Sequence, residues 1–191
     1  MNVVVPRTWT VDRFLDWAAA QEEPYEFDGT QPVAMNGGNA RHSGIVRNIL
    51  TTLRTRLRGS SCACYGPSLA VQTVGTAIRY PDALVTNARF SQSARLAPGV
   101  VAVFEVVSPH SGRLDREVKA AEYRAVPTIL HYVIVESARV EARVLSRADG
   151  TQDWTVQELT SADDVIDLPE AGAQLSLADI YEDIEFDPPP G

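Results

Sequence analysis

Three features of the chain predict an α/β fold. Val100 to Val107 is a short, valine-rich apolar run interrupted only by Glu105, which reads as a strand buried on both faces. Beyond it, Leu114, Val118, Ala121 and Ala125 recur at helical spacing, and Ile129–Val135 is another apolar run. Before it, Ile45, Ile49, Leu50, Leu53 and Leu57 mark the apolar face of a helix over residues 40–57. Buried strands and amphipathic helices therefore alternate, as in proteins that pack helices on a sheet.

The 191 residues suit one folded domain, residues 1–185, whose part beyond about 151 is acidic, with 186–191 as a disordered tail. With 45% hydrophobic and 22% charged residues, the composition is that of a globular protein. No apolar run reaches bilayer length, and the N-terminus has neither a basic leader nor a long apolar stretch, so no membrane partner or signal peptide is expected. Cys62 and Cys64, separated by one alanine, form no disulfide framework, which points to a cytoplasmic location.

The net charge of −8 conceals an asymmetry. Residues 151–191 hold eleven of the 25 acids and no Lys or Arg, leaving fourteen acids against 17 bases, or +3, in residues 1–150. A polyanionic partner is therefore compatible with the body of the chain despite the acidic total. Among the 17 bases Lys119 is the single lysine, and it falls on the helix that follows Glu105. The acidic segment would fold over the arginine-bearing side of the second helix and compete with nucleic acid, chiefly through Asp163, Asp164 and Asp167.

In chain order, Thr8 or Thr10 caps a first helix to about Ala20, with Val11, Phe14, Leu15 and Ala18 inward. Residues 24–35 alternate and turn at Asp28-Gly29, a hairpin signal that places Glu26 on its first strand. The second helix carries Arg41, Arg47, Arg54, Arg56 and Arg58 mostly away from its apolar face. Strands follow at 62–65, 69–73 and 79–86, the last containing Tyr80-Pro81-Asp82. After the organising strand and helix come 129–135 and 140–145, paired across residues 137–139, a last strand over 154–159, and a short helix within 175–184.

Asp82 and Glu105 lie 23 positions apart on strands that a simple meander places side by side. Neighbouring carboxylates raise each other's pKa unless a cation stands between them, and hard oxygen ligands suit Mg²⁺ or Mn²⁺. With Lys119 to neutralise charge on a phosphate or orient a water, two acids and a lysine make a minimal phosphodiesterase site. Each residue also has a plainer meaning. Pro-Asp most often marks a turn, Glu26 would face solvent in a hairpin, and Asp115, Lys119 and Tyr123 at intervals of four describe an exposed, ion-paired helix face. His42, His110 and His131 are scattered and are assigned core or surface roles, and Ser108 lies too near His110 to form a hydrolytic pair.

Tyr25-Glu26-Phe-Asp-Gly29, His42 on a helix, Tyr80-Pro81-Asp82, Val103-Phe-Glu105-Val-Val-Ser108-Pro109 and Asp115-x-x-x-Lys119-x-x-x-Tyr123 occur in an order that resembles the Uma-two family. These are bacterial restriction-endonuclease-like proteins of the PD-(D/E)XK nuclease superfamily, and the resemblance runs from about residue 8 to about 183. It implies a restriction-endonuclease-like α/β (α+β) core, a mixed β-sheet flanked by helices with an N-terminal helix and β-hairpin. It also implies metal-dependent hydrolysis of phosphodiester bonds in DNA. Carried onto this sequence, Asp82, Glu105 and the backbone carbonyl of Val106 are metal ligands for Mg²⁺ or Mn²⁺, and Asp82, Glu105 and Lys119 are catalytic. Glu26, Asp115 and Tyr123 support them, Tyr123 by orienting Lys119 or touching a phosphate.

One departure matters. The superfamily's lysine belongs two positions after the glutamate, where Val107 stands, so its role passes to Lys119 on the next helix. Glu136 and His131 also differ from the residues usual in the family, away from the proposed ligands. The expected activity is thus a DNA endonuclease, with a homodimer as the means of cutting both strands. The alternative is a catalytically inactive nuclease-fold binding or assembly module.

Overall fold

The computed structural model describes residues 9–35, 37–107, 113–149 and 151–187, with only the backbone of 113–116. Helix α1, Val11–Ala18, starts where the Thr10 side chain accepts a hydrogen bond from the Arg13 N–H. It buries Phe14 and Leu15 against the hairpin of β1, Tyr25–Phe27, and β2, Pro32–Ala34, with Phe14 stacked on Phe27. The hairpin turns at Gly29, whose φ of 93° favours glycine, while Asp28 Oδ1 accepts from the N–H groups of Thr30 and Gln31.

Helix α2, Ala40–Arg56, is capped by Asn39, which accepts from the N–H of His42. Short strands β3, Ala63–Tyr65, and β4, Val71–Gln72, follow. The expected single strand over 79–86 is two strands in two sheets. β5, Ile78–Arg79, pairs with β1 and β4, whereas β6, Ala83–Thr86, pairs with β3 and with β7, Val100–Val107. Pro81 interrupts the run with no N–H for a ladder, and the chain passes between sheets at Tyr80-Pro81-Asp82.

All eight residues of β7 are buried, as a two-faced central strand requires. It runs parallel to β8, His131–Glu136, which pairs antiparallel with β9, Ala142–Ser146, and that with β10, Thr155–Leu159. The six-stranded sheet is thus mixed, in the order β10-β9-β8-β7-β6-β3, beside a four-stranded sheet ordered β2-β1-β5-β4. Ile45, Ile49 and Leu53 of α2 cover one face of the larger sheet together with a C-terminal hairpin that sequence reading did not anticipate. That hairpin is β11, Val165–Leu168, with β12, Ala173–Ser176, and it leads to α4, Leu177–Ile180, the short helix expected within 175–184.

Helix α3, Arg113–Ala125, packs on the opposite face, but not with the stripe that its apolar spacing selects. Val118 is 38% exposed and Ala121 and Ala125 face solvent, while Lys119 and Tyr123 are buried. The inward face is the polar one, because Glu105 projects from the same side of β7 as Val103 and Val107 and binds that stripe. Leu114 and Asp115 have side chains outside the described residues, as do Ser108, Pro109 and His110 entirely.

The acidic C-terminal segment does lie against α2, though not through Asp163, Asp164 and Asp167. Arg41 meets Asp187 at 2.7 Å and Arg56 meets Asp179 at 3.8 Å, and Asn48 donates to the carbonyls of Ile180 and Glu182. Asp164 instead accepts from its own turn, at the N–H groups of Thr160 and Ser161. No helix among the described residues is long and apolar enough to cross a membrane.

The inverted helix yields a stability prediction. Phe104→Ala, in the fully buried strand, is expected to cost about 3–5 kcal/mol. Val118→Gln, on the exposed stripe of α3, should stay within about 0.5 kcal/mol of the parent. Urea unfolding of the two variants decides it, and a loss of several kcal/mol for Val118→Gln would contradict the helix orientation.

Candidate active site

Asp82 immediately precedes β6, and the antiparallel register Ala83–Phe104 continues to bring it opposite Glu105. Its two oxygens have different partners. Oδ2 accepts from the Val106 N–H at 2.7 Å, and Oδ1 is 3.0 Å from His42 Nε2. His42 projects from the first turn of α2, so a helix on one face of the sheet and a loop at the sheet's end converge on this carboxylate. Hydrogen bonding to Asp82 chiefly raises the imidazole pKa, burial opposes it, and the Asp82 charge, the Val106 backbone and the Glu105 charge add to the rise.

Glu105 is met from α3. Tyr123 donates its hydroxyl to Glu105 Oε1 at 2.9 Å, and Lys119 Nζ lies 3.4 Å from the same oxygen. The lysine therefore does reach back from the helix, as the sequence requires if it replaces the missing one at Val107. Tyr123 has no exposed surface and bonds the same Glu105 oxygen that Lys119 approaches. Burial lifts the tyrosine pKa well above its usual value. Burial also lifts the Glu105 carboxyl to about 7. Lys119 pulls it back, Asp82 and Glu26 push it further up, and the Tyr123 hydrogen bond lowers it.

A second group of charges extends the site into the smaller sheet. Lys119 Nζ is 3.2 Å from Glu26 Oε1, so the lysine bridges an acid from each sheet. Glu26 Oε1 also accepts from the Tyr80 N–H, and its Oε2 from Arg79 at 3.1 Å. Arg79 in turn grips Glu122 of α3 through two hydrogen bonds of 2.7 Å, and Thr73 donates to Glu122 as well. Burial would lower the Arg79 pKa, but the bonds to Glu122 and the charge of Glu26 outweigh it and raise the value. Glu122, Arg79, Glu26, Lys119 and Glu105 form a line of alternating acids and bases, in which each member's desolvation is offset by its neighbours and by hydrogen bonds from Thr73, Tyr80 and Tyr123.

The structure thus brings together Glu26, Asp82, Glu105, Lys119 and Tyr123, while the Asp115 side chain lies outside the described residues. Sequence reasoning missed Arg79, Glu122 and His42 as members. Arg79 immediately precedes the Tyr80-Pro81-Asp82 motif, and Glu122 is three residues beyond Lys119 on its helix, a spacing that signals a shared face. Among the described residues no group of three His, Cys, Asp or Glu side chains forms a ready metal cage. The oxygens of Asp82 and Glu105 with the Val106 carbonyl are the donors that a divalent cation would use, since Mg²⁺ needs only one or two protein carboxylates and keeps its waters. A site in which two further acids drive a buried carboxyl upward has negative charge to share with such a cation.

The comparisons agree with this architecture. An uncharacterized protein of Synechocystis is 29% identical over 177 residues, covering 92% of each chain. A crystal structure described as "a putative nuclease belonging to DUF820" from Anabaena variabilis superposes with a TM-score of 0.70, covering 91% of this chain and 97% of that one. At 14% identity it establishes the shared fold. The family model Uma2, described as "Putative restriction endonuclease", matches residues 11–179. That match spans the hairpin acid, both sheet carboxylates and the helix lysine, and the chain belongs to the Uma2 family.

Proposed function

We propose that the protein is a divalent-metal-dependent endonuclease that hydrolyses phosphodiester bonds in DNA. The observation that carries this reading is the placement of Asp82, just before β6 and bonded to the Val106 N–H, beside Glu105 of the neighbouring strand β7, with the chain's single lysine 3.4 Å from Glu105. Mg²⁺ or Mn²⁺, when bound, supplies polarisation of the phosphate and a lowered pKa for a bound water. Asp82, Glu105 and the Val106 carbonyl hold the cation. The Asp82 side chain is fixed by the Val106 N–H and His42, so its oxygens need little reorganisation on binding. Tyr123 fixes Glu105 from behind. Lys119 places a positive charge beside Glu105 for the charge that develops on the phosphate, and Glu26 with Arg79 sets the direction of the lysine. Asp115 completes the supporting set. A homodimer would bring two such sites to a duplex, and the two free cysteines suit a cytoplasmic enzyme.

Plasmid nicking tests the reading. Wild-type protein is expected to nick supercoiled DNA with Mg²⁺ or Mn²⁺ and to stop in EDTA. Lys119→Ala and Glu105→Gln should each lose at least about a hundredfold in rate. Folded wild type that neither cuts nor binds metal would instead identify an inactive nuclease-fold binding module.

The same carboxyl makes a pH prediction. A Glu105 pKa raised from 4.5 to about 7 means that the folded state keeps a proton the unfolded chain releases. The resulting stabilisation is full below pH about 4.5 and is lost as the pH rises through about 7, up to roughly 3 kcal/mol for such a shift. In EDTA, Glu105→Gln should therefore flatten the decline in stability across that window, as read by urea unfolding. An unchanged slope would show that the carboxyl is ionised throughout.

A further inference from the structure

A groove of about 420 Å³ opens beside the candidate site, along the outer side of α2. Asp82 and His42 form one end of it, so whatever occupies it lies against the proposed reaction centre. Its wall is built from two stripes of the helix, each repeating every four residues. Val46 and Leu50 with Pro67 give an apolar side, and Ser43, Arg47 and Thr51 give a polar one. The polar three are exposed and succeed one another by about 6 Å along the helix axis.

Arg47 is the informative member. Arg41 and Arg56 on the same helix are neutralised by Asp187 and Asp179 of the C-terminal segment. Arg47 makes no ion pair among the described residues. Its guanidinium donates to the neutral Asn48 side chain at 3.2 and 3.3 Å, and the Asn48 amide is held by the carbonyls of Ile180 and Glu182. The acidic segment thus clamps the arginine through an amide and leaves it without an ion pair among the described residues, at the mouth of a groove whose other polar side chains are Ser43 and Thr51, with His42 and Asp82 bonded to each other at its end. A cation with two hydroxyls on one wall and an apolar surface on the other matches a sugar-phosphate chain, with phosphate on the polar stripe and sugar or base on Val46, Leu50 and Pro67.

We propose that this groove seats the DNA strand being cut, one nucleotide at a time, with Arg47 as the phosphate anchor. The proposal rests on the nuclease reading for the identity of the strand, and it makes the ligand a single strand laid along α2.

The test is fluorescence anisotropy with a short single-stranded oligothymidine in EDTA, where no turnover occurs, over a range of salt. Arg47→Ala should weaken binding about tenfold and reduce the salt dependence by about one released counterion. Thr51→Glu should weaken it at least as much. Both substitutions lie at exposed helix positions, and thermal melts confirm that the fold is kept. Arg143→Ala, an equal loss of charge at β9 and away from the groove, should change binding less than twofold. No binding by wild type, no effect of Arg47→Ala, or an equal effect of Arg143→Ala would overturn the proposal. Binding that depends on Arg47 in a protein that never nicks DNA would retain the groove and refute the nuclease reading. Cleavage of single-stranded DNA with KM unchanged in Arg47→Ala would do the reverse.

Discussion

Glu105 is the constraint around which the molecule is arranged. A carboxyl in the middle of a strand buried on both faces costs several kcal/mol unless it is protonated, hydrogen-bonded or paired. Here all three contributions appear together. Its pKa rises to about 7, Tyr123 donates a hydrogen bond, and Lys119 stands beside it. Those two partners lie four residues apart on α3, so satisfying one acid dictates which side of an entire helix turns inward. The exposed Val118 and Ala121 are the consequence, an apolar stripe left outside because the acid needs the polar one.

The same need links the two sheets. The buried Lys119 ammonium has more donors than one carboxylate oxygen can accept, and Glu26 supplies a second acceptor from the smaller sheet. Glu26 then requires Arg79, and Arg79 is held by Glu122 on the helix that carries the lysine. The loop closes on α3. Removing one member leaves the next as an uncompensated buried charge, the situation in which a broken pair costs far more than the intact pair contributes. Such a network gives Lys119 one place to be, and rigidity of that kind is what a preorganised site needs.

Much of this was legible in the chain. The valine-rich β7, the α2 face, the Asp28-Gly29 hairpin and the pairing of β8 with β9 followed from period and turn chemistry, because each is a local pattern. The convergence of Asp82, Glu105 and Lys119 followed from an odd placement of charge in an apolar setting. What escaped is what depends on distant partners. The helical spacing of Leu114, Val118, Ala121 and Ala125 pointed to the wrong face of α3, since apolar periodicity cannot register a buried acid on another element. A single strand expected over 79–86 is instead a crossing between sheets at Pro81, and Arg79, two positions before it, carries no local sign of its distant partners. The β11–β12 hairpin lay in a segment whose acidity masked a short alternation of buried residues. His42, quoted as part of a family pattern but assigned a bland role, meets Asp82 across 40 positions, a separation no local rule addresses.

The central claim of the proposed function is that the Glu105 carboxyl, raised to about 7 by burial, would release its proton to solvent when a divalent cation binds. Calorimetric titration of the folded protein with Mn²⁺, slightly below the carboxyl's value of about 7 and in buffers of different ionisation enthalpy, measures this directly. The account predicts one binding event that releases a substantial fraction of a proton, with that release abolished in Glu105→Gln. Binding of Mn²⁺ with no proton release, or with the same release in the glutamine variant, would contradict it.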